Sequence, residues 1–202
     1  MDINILFEDE YVIACDKPSG LLSEGESKDS LPTLLADQGL KVFCVHRLDR
    51  ETSGIIIYAK TSAAAASLSA QIQGGEFQKE YLALIEGAPA EPEGSFEDML
   101  FYDRAKNKSF VVKDNGKARK GVKRALLDYR LISSEGGRSL VRVRLHTGRT
   151  HQIRVQFASR KMPLVADRRY GARPTEEKTF SLRCCYVSFI HPNTHKRIEI
   201  NC

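Results

Sequence analysis

The five cysteines of this 202-residue chain, Cys15, Cys44, Cys184, Cys185 and Cys202, include no CxxC pair. An odd number without that spacing supplies neither a disulfide framework nor a zinc site, and reads as reduced thiols. Long apolar runs are missing too. Nothing approaches the ~20 residues that a membrane span requires, and "MDINILFEDE" lacks the basic start and apolar stretch of a signal peptide. The expectation is a cytoplasmic protein with no membrane contact. GxSxG, Walker A and GxGxxG are likewise absent, which removes the common hydrolase, P-loop and dinucleotide signatures.

Of the residues present, 42% are apolar and 28% charged, as in an ordinary globular protein. The net charge of +5 is modest, but the cations are grouped. Lys117, Arg119, Lys120, Lys123 and Arg124 crowd together, as do Arg142, Arg144, Arg149 and Arg154, then Arg160, Lys161, Arg168, Arg169 and Arg173. The acids collect elsewhere, as in "EGAPAEPEGSFED". A basic face for a phosphate backbone fits this segregation. So does a solvated surface of mixed sign.

Most of the pattern is strand. "INILFED" and "YVIACDK" pair across a tight acidic turn, "KVFCV" follows, and the β-branched run "GIIIYAK" suits a buried strand. "TSAAAASLSAQIQ" predicts a helix capped by Thr61 or Ser62 and ended by Gly74-Gly75. "QKEYLALIEG" returns as a strand, and Ala88 to Gly94 form a polar loop. "VKRALLDYRLIS" and "SLVRVRLHT" form a hairpin around "SEGG", with Val141, Val143 and Leu145 opposite Arg142, Arg144 and His146. "THQIRVQFASR" predicts a short helix with Thr150 as its cap, and "FSLRCCYVSFIHP" and "KRIEINC" close as strands. The expectation is α+β, one mixed and mainly antiparallel sheet with flanking helices, in a single domain spanning 1–202.

Three segments could carry chemistry. In "HRLDRETSG", Asp49 lies between two arginines, before a tight turn made by Thr52, Ser53 and Gly54. It reads either as a turn aspartate with an arginine partner or as a fixed carboxylate, kept ionised by cations and able to act as nucleophile or base. In "LHTGRTHQIRVQF", His146 and His151 lack further ligands for a metal. The "TGRT" turn offers backbone N–H groups and Arg149 to an anion. Arg154 is either an exposed helix residue or an inward-pointing partner for a carboxylate. In "KEYLALIEG", Tyr81 is a strand aromatic or a ring that packs on a base.

Together, "HRLDRETSGIIIYAK", "KEYLALIEG" and "LHTGRTHQIRVQFASRKMPLVADRRYG" resemble the successive motifs of the RluA-type RNA pseudouridine synthases. "DKPSGLLSEG" is similar to that family's opening motif and "FIHPNT" to its closing turn. The resemblance implies the pseudouridine synthase fold with a central catalytic cleft, and an RNA substrate, rRNA or tRNA. It makes Asp49 the catalytic aspartate, Arg154 its ion-pair partner and Tyr81 the ring against a flipped-out uracil. Arg47 would contact RNA and hold the base out of the stack, and Leu182 would be the apolar wall opposite Tyr81. His46, Arg149 and Thr150 join the RNA-contact set. No cofactor or metal is implied, and a monomer without an S4 RNA-binding domain is expected. Two departures touch the motifs: Ala166 stands where the family usually has glycine, and Arg183-Cys184 where it typically has His-Ala. The rival readings are a non-catalytic RNA binder on the same scaffold and a hydrolase using Asp49 with Glu51.

Overall fold

The structure, a computed structural model, describes residues 3–113 and 120–202. Lys117 and Arg119 of the first basic cluster therefore lie outside the described residues. Packing divides the chain into two units, one formed by Met1–Glu80 with Arg183–Cys202 and the other by Tyr81–Leu182. Among the described residues no helix is long and apolar enough to cross a membrane.

The first unit begins as its alternation predicts. β1 (Asn4–Glu8) pairs antiparallel with β2 (Val12–Lys17), which pairs antiparallel with β4 (Ser53–Ala59). β3 (Phe43–Cys44) adds to β4 antiparallel, and β10 (Leu182–Ile190) meets β4 in parallel at Ser53 and Gly54. β11 (Arg197–Asn201) pairs antiparallel with β10. Residues Gly54 to Ala59 of β4 are all buried, as a strand covered on both faces must be, and its Ile-Ile-Ile run suits that place. α2 (Ser62–Gly74) has the expected ends. Thr61 accepts the Ala64 N–H at 3.1 Å, and Gly75 closes the helix at φ 80°. Its Ala64, Leu68 and Gln71 face inward at helical spacing.

In the second unit the order is β5 (Gln78–Glu86, whose first residues belong to the first unit), β9 (Arg138–Leu145), β8 (Val122–Glu135), β6 (Glu93–Asp103) and β7 (Lys108–Val112). The β8–β9 hairpin matches its expected register face: Val141 and Val143 are buried while Arg144 and His146 are exposed. The rings of Phe96, Tyr129 and Phe157 form the core beneath α3 (Gln152–Ser159), with centroids 4.7 and 5.1 Å apart around Phe96. A short 3-10 turn, η1 (Arg168–Tyr170), follows.

β6 and β7 lie where no strand was expected, and two further features depart from the expectation. α1 (Leu31–Asp37) was hidden by its shortness, yet Ser30 caps it by accepting the Thr33 N–H and Pro32 occupies its first turn. The N-cap of α3 is His151, at φ 55°, with no side-chain capping bond. Thr150 is therefore not the cap. Its carbonyl instead accepts the Ser109 hydroxyl at 2.5 Å.

Two local devices shape the loop that carries "HRLDRETSG". Gly54 sits at φ 103°, and an added Cβ would overlap the Cys184 backbone, 2.7 Å from its nitrogen. Only glycine lets β4 and β10 approach this closely. Lys17 is fully buried, and its ammonium donates to the carbonyls of Pro18 at 3.0 Å, Leu21 at 2.8 Å and Arg50 at 2.9 Å. Burial pushes its pKa down to about 8, although Glu51 and Asp49 pull it back up.

Gly54→Ala is expected to lower stability by roughly 3 kcal/mol or more, from strain and overlap together. That is about 6–12 °C in the unfolding midpoint by calorimetry, and an unchanged midpoint would contradict the close approach. Lys17 holds fewer protons folded than unfolded between about pH 8 and its ordinary 10.5. Stability relative to Lys17→Met should therefore rise with pH across that window in denaturant titrations. A flat or falling difference would contradict the buried ammonium.

Candidate active site

Asp49 lies in the first unit, half-buried, and its carbonyl accepts the Thr52 N–H at 3.0 Å, closing the expected turn. Both neighbours are fixed. The Ser23 hydroxyl donates to the Leu48 carbonyl at 2.8 Å and accepts the Leu48 N–H at 3.1 Å. On the other side, the Arg50 carbonyl accepts Lys17 and the Gly20 N–H, the latter at 2.8 Å. The Arg50 side chain returns to the same loop, donating to the Gly20 carbonyl at 2.9 Å and pairing with Asp29 at 2.6 Å. The backbone on either side of Asp49 is thus held while its side chain reaches a half-open surface. Reactive carboxylates need such support from neighbours whose own positions are fixed. Arg50 and Ser23 are structural parts of this loop, and nothing in the motif's spacing marks Ser23.

Arg47, the expected RNA contact, is well exposed and pairs with Glu24 at 2.6 Å. An exposed pair of this kind is worth little, so a phosphate could displace it. His46 is different. It is buried, its Nε2 accepts the Ile57 N–H at 3.0 Å, and its ring lies 5.1 Å from Phe77, which stacks on Phe189. Burial, helped by the charge of Lys79, holds its pKa well below the ordinary histidine value. His46 is therefore a neutral clamp between this loop and β4.

The second unit holds the other site residues. Tyr81 in β5 and Leu182 at the start of β10 are both buried, as apolar walls would be. Arg154 points inward from α3, and a partner missed in the sequence meets it there. Its Nε donates to Asp167 Oδ2 at 2.6 Å and its Nη2 to Oδ1 at 2.9 Å, with both side chains almost fully buried. The guanidinium also lies over the Phe180 ring at 4.2 Å and the Tyr170 ring at 5.0 Å. A two-point carboxylate and two rings fix the plane of the arginine. The Tyr170 hydroxyl is in turn held by the Ser109 N–H at 2.8 Å and His151 Nδ1 at 2.9 Å.

Ala166, before Asp167, has φ 67°. That conformation explains why glycine is usual there, since an L side chain is strained in it. The other departure, Arg183, pairs with Asp16 at 2.8 Å. The anion cradle expected at "TGRT" is partly closed. The Arg149 N–H donates to Gln152 Oε1 at 3.0 Å and its Nε to the Arg124 carbonyl at 2.9 Å. Gln152 also accepts the Thr147 hydroxyl and donates to Leu126, so these donors brace the turn. Among the described residues no three His, Cys, Asp or Glu side chains group as metal ligands.

Comparison with known proteins now adds to this geometry. The family model described as RNA pseudouridylate synthase matches residues 11–159. An uncharacterized RNA pseudouridine synthase of Mycoplasma pneumoniae is 32% identical over 203 residues, covering 97% of this chain and 65% of the relative. The ribosomal large subunit pseudouridine synthase C of Buchnera aphidicola is 32% identical over 210 residues, covering 98% and 66%. The chain thus spans just under two thirds of these relatives' length. Among solved structures, human RNA pseudouridylate synthase domain containing 1 aligns over 100% of this chain and 83% of its own, with TM-score 0.84 and 22% identity. Human RNA pseudouridylate synthase domain containing 4 covers 98% and 87%, with TM-score 0.81 and 20% identity. These two show the fold, the α+β pseudouridine synthase arrangement. With a match over most of its length and relatives above 30% identity, the chain belongs to the RNA pseudouridylate synthase family, on its RluA-type branch.

Proposed function

We propose that the chain isomerises uridine to pseudouridine in RNA, with Asp49 as the catalytic carboxylate and Arg154 as its cationic partner. The observation that carries the reading is the pinned backbone on both sides of Asp49, through Ser23 on Leu48 and Lys17 with Gly20 on Arg50. A solvated turn has no use for a buried lysine that serves its carbonyl. In this reading the chain acts as a monomer, with Tyr81 against the uracil, Leu182 opposite it and Arg47 on the RNA.

The reaction fits these residue types. The C1′–N1 bond breaks, the uracil turns, C1′ joins C5, the hydrogen on C5 leaves as a proton, and N1 takes up one proton. No electrons are gained or lost. The base must first leave its stack, which costs a few kcal/mol, and buried apolar walls such as Tyr81 and Leu182 offset that cost. In this reading the Asp49 carboxylate acts on the nucleoside, and the rigid guanidinium of Arg154 serves as its cationic partner. Of the two RNA classes expected, the names of relatives such as the large subunit synthases C and D favour ribosomal RNA. The rival hydrolase with Glu51 as second acid is disfavoured, because Glu51 accepts the Ser19 hydroxyl within the braced loop.

Release of tritium from RNA carrying 5-³H-uridine tests the reading. The unmodified protein should release tritium and Asp49→Asn none. Equal release from both, or none from the unmodified protein on any cellular RNA, would remove it. Asp167→Asn leaves the Arg154 fork half-held, so kcat should fall on the order of 10–100-fold with KM little changed. Asp167→Glu, which restores the charge, should recover part of the loss in whatever fraction is folded by near-UV circular dichroism. A wild-type kcat in Asp167→Asn would show that the buried pair is structural alone.

A further inference from the structure

A second basic feature lies in the second unit, outside the residues assigned to the reaction. The turn between β6 and β7 carries Arg104 and Lys106, both exposed, and Lys108 stands just after it. η1 carries Arg168 and Arg169, also exposed. These two pieces are distant in sequence but joined in space. Arg169 donates through one terminal nitrogen to the carbonyls of Asn107 at 2.7 Å and Lys106 at 3.4 Å, tying η1 to the hairpin tip.

The charges on this ridge are poorly balanced. Among the described residues Arg104, Lys108 and Arg168 form no ion pair. Lys106 has only a loose one with Asp103, at 3.9 Å on an exposed surface. The other Asp103 oxygen is engaged by the Lys106 N–H, which anchors the turn. Elsewhere in the unit, Arg124 pairs with Glu97, Arg138 with Glu177 and Arg173 with Glu86.

Its inner end is placed with some care. The Lys108 ammonium lies 5.0 Å from the Tyr170 ring, and the Arg154 guanidinium lies at the same 5.0 Å from that ring. The Tyr170 hydroxyl is tied to Ser109 and His151, so the ring is a fixed platform with a cation on each account. Lys106 and Lys108 also share the Phe110 ring, at 5.8 and 5.7 Å. Contacts of this type hold a lysine in place without neutralising it. The result is a row of cations that runs from an exposed hairpin tip to the ring beside Arg154, with Asp103 paired to it only loosely. A chain of phosphodiesters is the partner that such a row fits.

We infer that the β6–β7 tip and η1 form a phosphate-docking ridge for the RNA strand flanking the target nucleotide, with Lys108 as its innermost contact. The inference rests on the RNA-modifying reading above. The ridge fixes the register of the strand, and base recognition lies elsewhere, because phosphate contacts carry no sequence information.

The test is binding of a fluorescein-labelled RNA hairpin with uridines in its loop, followed by anisotropy over a range of KCl. The full chain is compared with the triple variant Arg104→Gln, Lys108→Met, Arg168→Gln. A double variant Lys28→Gln, Lys41→Gln, exposed in the first unit, serves as control. The triple variant should bind at least ~10-fold more weakly. Its slope of log affinity against log salt should flatten by about 0.7 for each lost contact to a single strand, roughly 2 in all. A structural defect alone would weaken binding without that change of slope, and would overturn the inference. So would an unchanged affinity and slope, or equal loss in the control. Tritium release separates the two levels. If the unmodified protein releases tritium while the triple variant binds normally, only the ridge falls. If the unmodified protein neither binds the hairpin nor releases tritium from any RNA, the reading beneath it falls as well.

Discussion

The Ser23 hydroxyl, bonded to both the N–H and the carbonyl of Leu48, and the Lys17 ammonium on the Arg50 carbonyl hold the one peptide stretch on which the functional account depends. A free loop would sample many conformations and lose about 1–2 kcal/mol per residue on being ordered for reaction. Here that ordering has been done during folding. The cost appears in Lys17, a charge taken out of water whose pKa falls to about 8. Hydrogen bonds to three carbonyls compensate it, in line with the rule that buried charge is tolerated only when it is well bonded.

The second unit solves the same problem with charge of both signs. A buried arginine alone would be strongly unfavourable, and a buried pair often does no better than break even. The Arg154–Asp167 pair is therefore a poor candidate for stability and a good one for geometry. Its two parallel hydrogen bonds and the flanking rings of Tyr170 and Phe180 leave the guanidinium no freedom to turn. Ala166 at φ 67° is the strained step that brings Asp167 into place. The strain of an alanine in that region is of order 1 kcal/mol, small enough to be carried by a well-packed core.

Much of this was legible in the sequence, for physical reasons. Helix α2 announced itself through Thr61, its alanines and its terminal glycines, because caps and propensity are local. The β8–β9 hairpin followed from alternation with "SEGG" at its turn. Asp49, Tyr81 and Arg154 were singled out by motif order alone, since local charge could not separate a reactive aspartate from a turn aspartate. Ser23, Asp167 and Phe180 escaped because their roles exist only through contacts 25, 13 and 26 residues away in sequence. The clamping role of His46 escaped for a related reason: its burial and its bond to the Ile57 N–H are visible only in the fold. Thr150 failed as a cap because the chain enters α3 through a left-handed His151, a choice that propensity does not foresee.

The central claim is that Asp49 works against Arg154 on a uridine turned out of its stack. An experimental structure of the protein with a uridine-containing RNA bound tests it most directly. The account predicts an Asp49 oxygen at hydrogen-bond distance, about 3 Å, from an Arg154 nitrogen, with the flipped base between Tyr81 and Leu182. An Asp49 side chain turned to solvent, with Arg154 serving Asp167 alone and the base still stacked, would contradict it.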